Sequence, residues 1–235
     1  MYGYVTWGRR PALTAENIGG VWFAAAALPE TGPLAAYRRR LVWRALCRRG
    51  VSRCVMPEAL EAEAARWGLL PVEVSPLRLA MLHQLLDTCG DLRRGTAVLR
   101  AECATPTVYR AAVVLAGRVR YLSLELDNGG EALEQALRQR FGLCLGRVGQ
   151  PAVTVSFGGA PSENTICLGE DCRHYQRVTY DVPEGMPGPW PVSEPLLAVL
   201  FEAGAIKKRA NSRKNYCVQR LTGGRKLTIM QRDAL

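Results

Sequence analysis

The sequence predicts an α/β fold built on a mostly parallel sheet, and three observations carry that expectation. Between Ala97 and Phe157, apolar strand-like runs alternate with helical patterns in the order strand, helix, strand, helix, strand. The helical runs are long enough to cross a sheet, which neighbouring parallel strands require of their connections. The same strand–helix rhythm occurs upstream, between Val51 and Gly90. The expected architecture is Rossmann-like: a mostly parallel sheet with helices on both faces, a short antiparallel extension and a basic C-terminal element.

The N-terminal segments Gly3 to Trp7 and Val21 to Leu28 are strand candidates, separated by a loop containing Gly, Pro and Asn; periodicity is compatible both with an antiparallel edge and with the opening of the parallel sheet. Pro29 to Pro33 reads as a turn. Leu34, Tyr37, Leu41, Ala45 and Leu46 follow at helical spacing and predict a buried face, with Arg40, Arg44 and Arg48 on another. That row suits an acidic partner or phosphates; as a solvated face it also suits a helix C-terminus. Val51 to Met56 predicts a strand, Pro57 to Gly68 a helix, Leu69 to Val74 a strand and Ser75 to Gly90 a helix.

In the central stretch, Thr105 is placed to cap a helix that begins with Pro106. Val108, Ala111, Ala112 and Leu115 give that helix its buried face, and Gly117 is expected to end it in a left-handed conformation. Val119 to Leu126 alternates as a strand should. The next helix is expected to bury Leu133, Ala136, Leu137 and Phe141, with Glu134 and Arg138 paired on its wet side. Strands at 52–56, 69–74, 97–101, 119–126 and 152–157 are then expected as one five-stranded set. Thr165 to Leu168 and Arg177 to Asp181 read as antiparallel additions to it, or as a small hairpin beside it. Pro183 to Pro195 is a proline-rich loop, Ser193 starts a last helix, and Tyr216 to Met230 suggests a hairpin. The expected organisation is an α/β domain over 1–182, with 183–235 packed on it or appended to it.

The composition of this chain of 235 residues is that of a globular protein, with 48% hydrophobic and 22% charged residues. No apolar run approaches the roughly 20 residues that span a bilayer. Arg9-Arg10 ahead of Val21 to Leu28 has the order of a twin-arginine export signal, but Glu16, Asn17 and Gly19-Gly20 interrupt it and a buried strand explains the run. The eight cysteines are scattered, mostly in apolar segments, which favours reduced thiols and a cytoplasmic setting. The net charge of +10 is unevenly placed. From Lys207 onward nine Lys and Arg face one acid, giving +8, while Met1 to Ile206 has 22 basic and 20 acidic residues, giving +2.

In a parallel sheet, ligands bind outside the carboxyl ends of the strands. The residues expected there are Thr105, then Asp127, Asn128, Gly129 and Gly130, then Gly158 and Gly159. Helix N-termini at Thr105 and Gly130 would aim free N–H groups at an anion, and Asp127 could accept from ribose hydroxyls. The turn after Ala101 reads Glu-Cys-Ala-Thr-Pro-Thr and lacks the G-x-G-x-x-G fingerprint, so close approach of a pyrophosphate in the usual manner is not expected. Cys167, Cys172 and His174 have metal-capable side chains, but no second pair at finger spacing follows and no metal site is assigned. Neither G-x-S-x-G nor H-E-x-x-H occurs, so no catalytic residue is assigned either.

Three functions are consistent with these observations. The first is binding of a small anionic ligand, such as a nucleotide, or of a protein partner at the strand-end crevice, with cofactor and reaction unspecified. The second is a nucleic-acid-binding accessory role for Lys207, Lys208, Arg209, Arg213, Lys214, Arg220, Arg225 and Lys226, with Tyr216 available for stacking; the same residues could hold an acidic protein surface. The third is a structural or scaffold role.

Overall fold

A computed structural model describes residues 1–142, 144–145, 150–158, 164–169, 176–180, 193–206 and 218–223. The chain divides into two compact units, Met1–Glu73 with Glu184–Lys207 and Val74–Pro183 with Lys208–Leu235. The fold is mixed α/β, with one mixed sheet and one fully parallel sheet.

The first unit contains β1 (Tyr2–Gly8), β2 (Ala12–Ile18), β3 (Val21–Pro29), α1 (Ala35–Arg48), β4 (Arg53–Val55), a short 3-10 turn, α2 (Glu61–Ala65), β5 (Leu70–Pro71) and the late helix α7 (Glu194–Glu202). Its sheet has the order β2-β3-β1-β4-β5. All neighbours are parallel except β2, which forms a hairpin with β3. The two residues at that hairpin's tip, Gly19 and Gly20, both have positive φ (60° and 89°), as a tight primed turn demands. Val5, Ala24, Ala26 and Leu28 from one sheet face pack with Val42, Trp43 and Leu46 of α1 and with Leu60, Ala64 and Leu69. On the other face Tyr4 meets Phe23 edge-on at 6.3 Å. Leu200 of α7 closes over Gly19, and Glu202 reaches Arg53 and the Tyr2 hydroxyl. The apolar run expected as a strand near the N-terminus is thus β3, an interior strand.

The second unit contains α3 (Ser75–Ala80), α4 (Leu82–Asp87), β6 (Thr96–Cys103), α5 (Pro106–Ala116), β7 (Tyr121–Asn128), α6 (Gly130–Phe141), β8 (Cys144–Leu145), β9 (Val153–Ser156), β10 (Thr165–Cys167), β11 (Gln176–Tyr180) and β12 (Val218–Gly223). The sheet order is β10-β9-β6-β7-β8, with every neighbouring pair parallel. Register sorts its side chains into two faces. Ala97, Leu99, Ala101, Leu122, Leu124, Val153, Val155 and Ile166 share one largely apolar face. Arg100, Ser123, Glu125, Thr154, Ser156 and Thr165 share the other, which is largely polar. β11 and β12 form a separate antiparallel pair.

The open edge of β10 is closed by a side chain. The Gln176 amide accepts from the Cys167 N–H at 3.0 Å and donates to the Thr165 carbonyl at 2.7 Å, as a neighbouring strand's peptide would. Arg78 of α3, with none of its surface exposed, fixes the same corner. Its guanidinium donates to the carbonyls of Cys167 (3.1 Å) and Gln176 (2.5 Å).

Several expectations need correction. The five strands predicted as one set are shared between two sheets, because β1 and β3 provide the partners for β4 and β5. β10 is parallel to β9 rather than antiparallel, and β11 pairs with β12 instead of extending that sheet. Gly117 ends α5 at φ −80°, so no left-handed residue is needed there, whereas Gly142 closes α6 at φ 60°. Phe141 is exposed. The helix from Ser75 breaks at Met81 into α3 and α4. On α1 the buried stripe is Val42, Trp43 and Leu46, while Leu34, Tyr37 and Leu41 are 67%, 59% and 48% exposed. Both stripes have helical spacing. The helix turns toward the one holding Trp43, whose indole N–H donates to Glu63 Oε1 at 3.0 Å, beside the Arg39–Glu63 ion pair. Among the described residues no helix is long and apolar enough to cross a membrane.

Candidate functional site

Because the strands of the second sheet all run the same way, the ends of β6, β7, β9 and β10 come out on one rim. Register fixes the neighbours along it: Cys103 beside Asn128, Arg100 beside Ser156, and Ser156 beside Cys167. The residue that follows each of β6 and β9 is bonded to the neighbouring strand. The Ala104 N–H donates to the Asn128 carbonyl at 3.2 Å, and the Phe157 N–H donates to the Arg100 carbonyl at 2.9 Å. The chain also switches direction here, since β7 lies on one side of β6 and β9 on the other. Such a switch point opens a crevice between adjacent loops.

Thr105 and Pro106 form the expected helix start. Thr105 Oγ1 accepts from the Val108 N–H at 3.3 Å, and the Thr105 carbonyl accepts from Tyr109 at 2.9 Å. Pro106 has no N–H, so the first turn of α5 is largely self-satisfied and has little to offer an anion. The start of α6 differs. Gly129 is its N-cap at φ 75° and has no side chain with which to cap it. The N–H groups of Gly130, Glu131 and Ala132 therefore project from the first turn without a capping side chain. The positive φ of Gly129 favours glycine at this position, and a Cβ there would also sit tightly, 3.2 Å from that of Ala104.

Asp127 and Asn128 belong to β7 rather than to the loop after it, and both are exposed. Alternation puts Asp127 on the polar side with Glu125, and Asn128 on the apolar side with Leu126. Arg100 and Glu125, cross-strand neighbours, form an ion pair of 2.7 Å about half exposed to solvent. Near the end of β9, Ser156 Oγ donates to the Gly158 carbonyl at 2.5 Å and lies 3.3 Å from the Gly158 N–H, which folds the loop back on its strand. Ser75 Oγ donates to the Gly169 carbonyl at 2.8 Å after β10. A Cβ at Gly169 would run into the Phe157 carbonyl, so only glycine admits this approach.

Thr105, Asp127, Asn128, Gly129, Gly130 and Gly158 thus come out at one end of one sheet; Gly159 lies outside the described residues. Of the basic candidates, Arg220 is in β12, while Lys207, Lys208, Arg209, Arg213, Lys214, Tyr216, Arg225 and Lys226 lie outside the described residues. Ala104 and the Arg100–Glu125 pair were not picked out from the sequence. Their places depend on strand register, to which spacing along one chain is blind.

The rim also holds negative charge at Glu102, Asp127 and Glu131. Such a site can take hydroxyls on its carboxylates and an anionic group on the bare amides of α6. Of the cysteines, Cys103 is exposed at the end of β6, whereas Cys54 is buried in the first unit and desolvation pushes its thiol up to about 12. Cys54 therefore stays a neutral thiol packed against Gly3. Among the described residues no group of three or more His, Cys, Asp or Glu is placed to hold a metal ion. No protein-family model matches the chain, and comparison with curated proteins finds no relative.

Proposed function

We propose that the second unit is a Rossmann-like binding module that takes a small anionic, hydroxyl-bearing ligand of the nucleotide class at the rim of its parallel sheet. The observation that carries this reading is the shared rim, where the uncapped start of α6 stands one strand from the switch point between β6 and β9. The strand order, read outward from β6, is that of doubly wound nucleotide-binding sheets. The phosphate belongs at the amides of Gly130, Glu131 and Ala132, with hydroxyls toward Asp127. Glu131 opposes an anion at that point and keeps the affinity modest.

Gly130→Asp is the discriminating change. A carboxylate in the first helical turn favours the helix, so the protein should stay folded, yet it repels the ligand's anion. Titration calorimetry with ADP and ATP should show at least about a tenfold loss for this variant, while Glu131→Gln binds more tightly than the parent protein. Equal affinity across all three proteins would remove the α6 site from consideration.

The clustering of charge supports a second reading, in which residues 207–235 bind nucleic acid. Deleting them would also delete β12, the partner of β11, so substitution is the cleaner test. Replacing Lys207, Lys208, Arg209, Arg213 and Lys214 by Gln should flatten the salt dependence of single-stranded oligonucleotide binding, by up to about 0.7 for each phosphate that is no longer neutralised. An unchanged slope would rule out this segment as the binding surface.

A further inference from the structure

The outer face of α1 combines a run of unneutralised arginines with exposed apolar side chains. Between Glu30 and Glu58 the chain has seven arginines and no acidic residue. Two of the seven are ion-paired: Arg39 with Glu63, and Arg53 with Glu73 and Glu202. Among the described residues Arg38, Arg40, Arg44 and Arg48 have no ion-pair partner, and all four are exposed. In the same helix the buried stripe of Val42, Trp43 and Leu46 turns Tyr37 and Leu41 outward, next to the exposed Leu34 at the helix start.

The arrangement along the axis is specific. At 3.6 residues per turn, positions 37, 41, 44 and 48 stack on the side opposite the buried stripe. Leu34, Tyr37 and Leu41 therefore make the N-terminal half of the outer ridge apolar, and Arg44 and Arg48 make its C-terminal half basic, with Arg38 and Arg40 on the flanks. We infer that this ridge docks an acidic amphipathic segment of a protein partner, with apolar anchors seated on Leu34, Tyr37 and Leu41 and carboxylates on Arg44 and Arg48.

Charge and shape choose among occupants. The unpaired arginines call for an anionic surface, and arginine forks suit carboxylates in pairs of hydrogen bonds. Phosphates of a nucleic acid would satisfy the arginines but give Leu34 and Leu41 nothing to bury against. A flat bilayer is met best by a central apolar stripe with basic flanks, whereas here arginines share the centre line with the apolar residues. Segregation along the axis fits a partner lying lengthwise, in the helix-on-helix manner. The dipole of α1 explains basic residues in its last turn, but not the exposed Tyr37 and Leu41 ahead of them.

The test uses the full chain and a labelled synthetic peptide as long as α1, with Leu and Phe at helical spacing in one half and Glu in the other. An isomer of equal composition, with the same residues interleaved, is the control. The segregated peptide should bind at least about tenfold more tightly than the interleaved one. That preference should vanish in Leu41→Gln and in the double variant Arg44→Gln with Arg48→Gln. All three positions are exposed, so unchanged circular dichroism and melting temperature should accompany the loss, and Gly130→Asp should leave it untouched. Equal binding of the two peptides would reduce the ridge to general charge attraction and overturn the inference. Tighter, Leu41-dependent binding of phosphatidylserine-containing vesicles, or Arg44- and Arg48-dependent binding of an oligonucleotide in preference to the peptide, would overturn it in favour of those surfaces.

Discussion

Trp43→Ala should lower the stability of the first unit by about 3–5 kcal/mol, the range for removing a large aromatic side chain from a packed core. Trp43 has none of its surface exposed and lies among Val5, Leu28 and Leu46, where little can move in to fill the space. Its indole N–H also donates to Glu63 Oε1, an acceptor that is otherwise held by Arg39 Nε at 3.2 Å. Against a typical domain stability of about 5–15 kcal/mol, such a loss is enough to populate the unfolded unit measurably. Guanidinium unfolding followed by circular dichroism measures it. Trp43→Phe separates the two contributions, since it keeps much of the apolar volume and gives up the hydrogen bond, at a cost of about 1 kcal/mol beyond the change in volume. A loss under about 1 kcal/mol for Trp43→Ala would mean that α1 does not anchor this core.

The second large effect is expected at Arg78. Arg78→Ala removes a fully buried side chain and leaves the carbonyls of Cys167 and Gln176 without their charged donor, at about 3–5 kcal/mol in all. Lysine keeps the charge but not the fork, so Arg78→Lys should fall between alanine and the parent protein. The effect should also be local. Once the Gln176 carbonyl is released, its side chain loses its place against β10, and the amide of Cys167 should lose protection from hydrogen exchange before β6 and β7 do. Unchanged exchange at Cys167 in Arg78→Ala would show that the β10 edge is held by other groups.

The crossover units were legible in the sequence because each was marked twice, by apolar periodicity and by its punctuation. Thr105-Pro106 at the start of α5 and Gly129-Gly130 at the start of α6 are the clearest cases. Partnership between strands was not legible. Nothing in the spacing of Arg53–Val55 or Leu70–Pro71 tells that β1 and β3, rather than β6, complete their sheet. Helix phase misled in one instance, since α1 has two stripes of helical spacing and only the depth available to Trp43 decides between them. The rim residues were found because their loops follow strands, whereas Arg100 with Glu125, and Ala104 against Gly129, meet only through register and close approach. That Asp127 belongs to the strand itself was missed for a similar reason: Asn-Gly-Gly signals a turn without fixing the residue at which the ladder stops.

The side-chain amide lying along β10 has a consequence for how copies of this chain behave at high concentration. A strand with open backbone groups is a template on which another chain can stack, and from which fibrous aggregates grow. With Gln176 occupying the donor at Cys167 and the acceptor at Thr165, an incoming segment finds both of these groups taken. A glutamine only nine residues beyond Cys167 thereby acts as a stopper against lateral growth, a job more often given to lysine or proline on the strand itself.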